Sequence, residues 1–238
     1  MNGFIYGAVL QWKLDLRSRT MLITCYAVPL VFFAIMGGIF TSIMPETKDT
    51  LIPSMTVFAV TMGALVGLPP SLTEIYRSDI KNAYQANGVP LALGLVLTNF
   101  SAFVHLIIMS AILCIIAPVA FDAAIPANLW SHFGGLAVLI VVSLSIASII
   151  GLAVTDTANT SMFSILLFLP SIMLSGIMFP AELLPKAFVF AGKLFPATWG
   201  YALLVENAFS GRLLWPLCTI FLVGALFCGI LMKRIETR

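Results

Sequence analysis

Long apolar segments alternate with short polar connections along the whole of this sequence. A helix needs about 20 consecutive, mostly uncharged residues to cross a bilayer. We therefore predict an all-α integral membrane fold with six transmembrane helices. Their predicted bounds are 21–43, 51–68, 91–116, 130–154, 161–179 and 213–232.

The apolar pattern is interrupted between the fifth and sixth predicted spans. Pro185 and Pro196 prevent one straight helix from running through this stretch, because proline removes a backbone donor and clashes with the preceding turn. The pieces at 186–195 and 198–209 are too short to span. We predict two short re-entrant helices within 180–210 that line or cap a passage, since broken backbone at membrane depth needs a covering of protein or water.

Two further segments are periodic but too polar to span. In residues 1–19, apolar residues recur at helical spacing and basic residues follow, which predicts an interfacial helix in the headgroup layer. Between spans 2 and 3, Pro69-Pro70 should end the span. Ser71 and Glu74 then have capping-box spacing, and Gly88 supplies a stop. This predicts one amphipathic helix outside the membrane over residues 71–87.

Span 3 carries three polar residues on one helical face, Thr98, Ser101 and His105. An ionisable residue inside a membrane is a candidate functional group. The simpler interpretation is a neutral histidine that bonds to a neighbouring helix. It is favoured because the sequence shows no second ionisable residue at a comparable depth.

Composition agrees with a membrane protein. The 238 residues are 61% hydrophobic and 9% charged, whereas soluble domains carry about 25% charged residues. We expect one membrane domain over residues 1–238. The net charge of +2 gives no support for nucleic-acid binding, and the four cysteines form no CxxC pair.

The distribution of basic residues predicts the orientation, because lysine and arginine favour the cytoplasmic side. Six spans put both termini on one side of a plasma membrane, which we expect to be a bacterial inner membrane. That side holds more basic residues than the other. They are Lys13, Arg17, Arg19, Arg77, Lys81, Lys233, Arg234 and Arg238, against Lys48, Lys186, Lys193 and Arg212. Both termini are therefore expected to be cytoplasmic.

Recognisable catalytic motifs are missing from the sequence. It contains no G-x-x-x-x-G-K-[ST] phosphate loop, no H-E-x-x-H and no G-x-S-x-G. The chain is therefore not expected to be an enzyme or to bind a cofactor itself. An intramembrane enzyme would need a pair of catalytic side chains, and the sequence shows no such pair. Transport against a gradient would need energy from a partner or from an ion.

Three features of the sequence occur in one order: six spans after a basic start, the helix before Gly88-Val89-Pro90, and a Ser-Gly-x-x-Phe-Pro run at 175–180. In these features the chain resembles the ABC-2 type permease, the transmembrane subunit of ATP-binding-cassette exporters. It implies a dimer with an identical or similar chain and a cytoplasmic ATPase subunit that holds ATP and magnesium.

The resemblance also implies roles for particular residues. The helix 71–87 would dock on the ATPase and the re-entrant region would form the outer gate. The ATPase-coupling residues would be Glu74, Arg77, Ser78 and Lys81, and the gate residues Phe179, Pro180, Phe195, Pro196 and Trp199. The expected cargo is a hydrophobic or amphipathic small molecule such as a drug, an antibiotic or a lipid-like compound. The competing hypothesis is an ion-coupled carrier or channel without an ATPase, with His105 as its proton site.

Overall fold

In the computed structural model, which describes residues 3–178 and 183–237, regular structure is entirely helical. Five helices are long and apolar enough to cross a membrane, or six if a bent pair counts as one span. In chain order the helices are α1 Gly3–Arg17, α2 Arg19–Ile43, α3 Leu51–Arg77, α4 Asp79–Ala86, α5 Leu91–Phe121, α6 Leu129–Ala153, α7 Thr157–Met173, α8 Lys186–Gly192, α9 Pro196–Glu206 and α10 Gly211–Glu236.

The long helices define two ends of the bundle. One end, called here the basic end, carries Arg77 at the end of α3, Leu91 at the start of α5, and Arg234 in the last turn of α10. The opposite end carries the short helical turn Pro45–Asp49, where Lys48 forms an ion pair with Asp122 across 3.2 Å.

Helix α3 lies at the centre and is the most enclosed of the long helices in the described residues. Gly63 and Gly67 allow α2 to approach closely, because a Cβ at Gly67 would lie 2.8 Å from the Thr24 hydroxyl oxygen. On its other side Gly151 of α6 meets α3, and a Cβ there would lie 2.7 Å from Cβ of Leu72. Small residues thus let three helix backbones pack together without side-chain bulk between them.

The predicted end of span 2 at Pro69-Pro70 is wrong, because α3 runs unbroken from Leu51 to Arg77. The two prolines follow a widened π-helical turn at Gly63–Gly67. Membrane helices tolerate proline where π turns of this kind and neighbouring helices satisfy the freed carbonyls. The second span and the first half of the predicted coupling helix are therefore one element.

The fifth predicted span, 161–179, is also displaced in the structure. Helix α7 begins at Thr157, because the Asp156 carboxylate accepts a hydrogen bond from the Asn159 backbone N–H and caps the first turn. It ends at Met173, and Gly176 then adopts φ +86° in a turn. At about 25 Å, this helix is at the lower limit for a spanning segment.

Candidate functional site

His105 is fully buried on α5, beneath the N-terminal helix α1. The Trp12 indole of α1 stacks on the imidazole, with ring centroids 4.1 Å apart and planes inclined by 7°. From α2, the Tyr26 hydroxyl lies 2.7 Å from Nδ1 of His105. Three helices therefore meet at this one histidine side chain.

Asp15 of α1 is a second ionisable residue at this position. Only 6% of its surface is exposed, and Gln11 Nε2 donates a 2.9 Å hydrogen bond to its Oδ1. Ser101 and His105 lie beside the carboxyl, and burial raises the pKa of Asp15 above its ordinary value. The expectation that no second ionisable residue accompanies His105 is therefore wrong.

This polar cluster, defined as Asp15, Ser101 and His105, contains unpaired polar atoms. Asp15 Oδ2, Ser101 Oγ and His105 Nε2 are all buried and have no hydrogen-bond partner in the described part of the chain. Thr98, which shares their helix face, instead donates to the Gly94 carbonyl of its own helix at 2.8 Å. Of the three predicted polar residues, the structure thus brings Ser101 and His105 together with Asp15 and leaves Thr98 as a packing residue.

At the basic end, the predicted coupling helix 71–87 is two helices that meet at Ser78. Ser78 is extended, with φ −102° and ψ −178°, and its hydroxyl accepts a hydrogen bond from the Ile80 N–H at 3.3 Å. The helix cap predicted at Ser71 is therefore found at Ser78, where it begins α4. The first part of the predicted helix belongs to α3.

The predicted coupling residues surround this break. Glu74, Arg77 and Ser78 are exposed, and Lys81 is half-buried. Arg77 Nη2 also donates a 3.0 Å hydrogen bond to the Leu152 carbonyl, near the end of α6. The last carbonyls of a helix have no partner within the helix, so Arg77 caps α6 in addition to any contact with a partner protein.

Hydrogen bonds attach the end of α3 to its neighbours. The Tyr76 hydroxyl donates to the Leu91 carbonyl of α5 at 2.7 Å. The Thr73 hydroxyl lies 3.2 Å from the Gly151 carbonyl of α6 and 3.0 Å from the Thr160 hydroxyl of α7. The end of α3 is therefore bonded to the start of α5, to the end of α6 and to the first turn of α7.

At the opposite end, α8 and α9 form the predicted pair of short helices, with an angle of 89° between them. Pro196 is buried in the first turn of α9, and Phe195 occupies the capping position before it. Trp199 Nε1 donates a 2.8 Å hydrogen bond to the Lys193 carbonyl, which fixes the bend. Two predicted gate residues, Phe179 and Pro180, lie outside the described residues.

Helix α9 packs deep against α6. A Cβ at Gly200 would lie 2.5 Å from Cδ1 of Leu139, which is about 15 Å along α6 from Leu129. The Leu203 side chain packs against Gly135, closer to the opposite end. The bent pair is thus tightly packed against the bundle and does not lie loosely on its surface.

A comparison with known protein families matches residues 6–209 to the ABC-2 type transporter family. The chain belongs to this family. No individual curated protein matches the chain. The matched range contains the polar cluster, the helix break at Ser78 and the bent pair.

Membership of the ABC-2 family identifies the chain as a multi-pass permease subunit of an ABC transporter. Such a permease is the transmembrane transport component, and it works with an ABC ATPase. In residues 3–178 and 183–237, no group of three or more His, Cys, Asp or Glu side chains could hold a metal ion.

Proposed function

We propose that this ABC-2 permease exports a hydrophobic or amphipathic small molecule, driven by ATP hydrolysis in a separate cytoplasmic subunit. The observation that carries the proposal is the continuity of α3. This helix runs from the opposite end of the bundle to the exposed residues at Arg77, and it is enclosed by the other helices for most of its length. A displacement of α3 by the ATPase at the basic end would therefore also displace the centre of the helix bundle.

The ATPase is expected to dock at α4 and the break at Ser78. Glu74, Arg77 and Lys81 are the charged residues proposed for this contact, and Asp79, directly after the break, is also exposed there. ATP and magnesium would be held by the partner, whose closure would tilt α4 and, through Tyr76 and Thr73, the helices bonded to α3. A second permease copy, identical or similar, would complete the transport route.

The apolar faces of the bundle support a hydrophobic cargo. A groove of about 560 Å³ lies between α5, α6 and α10, with Phe100, Phe103, Leu144 and Phe221 among its lining residues. Asn99 and Ser148 exchange hydrogen bonds of 3.1 and 3.2 Å at this groove. An apolar lining with a few polar groups suits a small amphipathic ligand.

A double charge reversal tests the proposal. Arg77→Glu with Lys81→Glu should still insert but lose ATPase association, because like charges across an interface cost several kcal/mol. It also loses the hydrogen bond from Arg77 to the Leu152 carbonyl, so its thermal stability is measured alongside. Substrate-stimulated ATP hydrolysis, measured in proteoliposomes, should fall together with ATPase association. The matched control, Lys186→Glu with Lys193→Glu, changes the same net charge at the bent pair and should retain the ATPase. Retention of the ATPase and full coupling in the first variant would remove this surface from the mechanism.

The polar cluster favours a second candidate function, an ion-coupled carrier that works without an ATPase. Asp15 and His105 are two ionisable side chains in one cluster, so a proton could pass between them. A single buried histidine would have no such partner. Transport by the purified permease alone, driven by a proton gradient, would support this function. If the exporter proposal is correct, His105→Gln retains most ATP-driven transport, because an amide still forms hydrogen bonds.

A further inference from the structure

A second group of positively charged residues lies beside the surface proposed to dock the ATPase. A cleft of about 180 Å³ opens at the basic end between α3, α6 and α10. Arg77 and Arg234 are among its lining residues, together with Leu152, Ala153, Thr155, Leu231 and Ile235. The cleft is therefore lined by two arginines and by mostly apolar side chains.

The two arginines have positive charge available for a ligand. Arg77 uses Nη2 on the Leu152 carbonyl, but a guanidinium has five N–H donors. Within residues 3–178 and 183–237 the one ion pair joins Lys48 to Asp122, so neither arginine is paired with a carboxylate there. Of the acidic residues close in sequence to the two arginines or to the end of α6, Asp156 caps α7, while Glu74, Asp79 and Glu236 are exposed.

An apolar groove adjoins the cleft on the membrane side. It has a volume of about 410 Å³ and lies between α6 and α7, lined by Ile149, Ile150, Phe163, Leu166 and Leu167. Ala153 lines both the cleft and the groove, so the two are neighbours across one small side chain.

The position of Ala153 along α6 sets the depth of this pair of cavities. About 36 Å of helix separates Leu129 from Ala153, and the hydrocarbon core of a bilayer is about 30 Å thick. With Leu129 at the opposite surface, Ala153 lies in the headgroup layer. The cleft is then at the height of lipid phosphates and the groove at the height of acyl chains.

We propose that the cleft and the groove together bind one anionic glycerophospholipid, with its phosphate between Arg77 and Arg234 and an acyl chain between α6 and α7. Basic pockets between membrane helices suit anionic headgroups, and arginine favours phosphate because its planar fork matches two oxygens. The site would link lipid composition to Arg77, which also caps α6 and borders the break at Ser78.

Native mass spectrometry of the full-length permease in detergent, titrated with phosphatidylglycerol or phosphatidylcholine, tests this site. Phosphatidylglycerol should bind more tightly, and Arg77→Gln with Arg234→Gln should weaken it about tenfold or more. The control Lys233→Gln with Lys81→Gln removes equal charge outside the cleft and should leave phosphatidylglycerol binding near the wild-type value.

A second pair of variants tests the groove without changing charge. Ala153→Trp should fill the wall shared by cleft and groove and weaken phosphatidylglycerol binding, whereas Ala92→Trp adds the same bulk at an exposed position of α5 and should not. Equal lipid retention in the double arginine variant and the wild type would overturn the proposal. It would also be overturned if glycerol phosphate competed as well as the intact lipid, or if Ala153→Trp altered dimerisation but not lipid binding.

Discussion

The imidazole of His105 and the indole of Trp12 are stacked, with centroids 4.1 Å apart. The two residues belong to different helices, α5 and α1, so this contact attaches the N-terminal helix to the bundle. Most other large apolar side chains of α1, such as Phe4, Ile5 and Leu14, are about half exposed. The attachment therefore depends on a few contacts, which include this stack, the edge contact of Phe4 with Phe100 and the packing of Leu97 against Gly7.

Trp12→Ala should loosen the N-terminal helix. The stack contributes about 0.5–1.5 kcal/mol beyond the apolar area that it buries, so the thermal unfolding temperature should fall and trypsin should cleave faster after Arg17. Trp12→Phe keeps an aromatic ring on His105 and should show a smaller effect. Tyr6→Ala removes an exposed aromatic residue from the same helix. If Tyr6→Ala and Trp12→Ala had equal effects, the stack would not be the attachment.

Asp15 should make this attachment sensitive to pH. Burial raises the pKa of Asp15 in the folded protein above its unfolded value. The folded state therefore binds more protons between the two pKa values, and its stability falls as the pH rises through the folded pKa. The melting temperature of the wild type should increase on acidification from neutral pH towards the unfolded pKa.

Asp15→Asn removes the titrating group but can keep the hydrogen bond to Gln11. This variant should be more stable than the wild type at neutral pH and should show a flatter dependence of melting temperature on pH. Gln11→Ala leaves the Asp15 carboxyl in place, so its melting temperature should depend on pH as steeply as that of the wild type. Identical slopes for Asp15→Asn and the wild type would show that this carboxyl does not control the attachment.

Gly200 should tolerate a larger side chain poorly. A Cβ there would lie 2.5 Å from Cδ1 of the fully buried Leu139, and overpacking of this kind costs about 1–3 kcal/mol. Gly200→Val should therefore lower the unfolding temperature and impair transport. Gly229→Val is the matched control, because Gly229 is also helical but a Cβ added there would have no neighbouring atom within 4 Å. Equal loss in both variants would point to helix propensity instead.

Cysteine labelling in intact cells tests the proposed orientation. On a background without Cys25, Cys114, Cys218 and Cys228, single cysteines at Thr47 and Lys186 should react with a membrane-impermeant reagent. Cysteines at Gln85 and Thr237, which lie at the basic end, should react only after the membrane is opened. Labelling of Thr237 in intact cells would place the basic end outside and contradict cytoplasmic termini.

The sequence by itself determined the helical membrane class, the family and the approximate positions of the long helices. These follow from local properties: runs of apolar residues long enough to cross a bilayer, and breaks such as Pro185 and Pro196 before α8 and α9.

Only the tertiary structure decided which local signals prevailed. Pro69-Pro70 does not end α3, which continues through both prolines directly after the π turn at Gly63–Gly67; membrane helices tolerate proline where such turns and packed neighbours are present. Asp15 joins His105 because α1 packs against α5, a contact between residues far apart in sequence that no periodicity encodes. In the same way, Arg77 reaches the end of α6 across the fold. Burial and long-range hydrogen bonds thus gave these residues their roles.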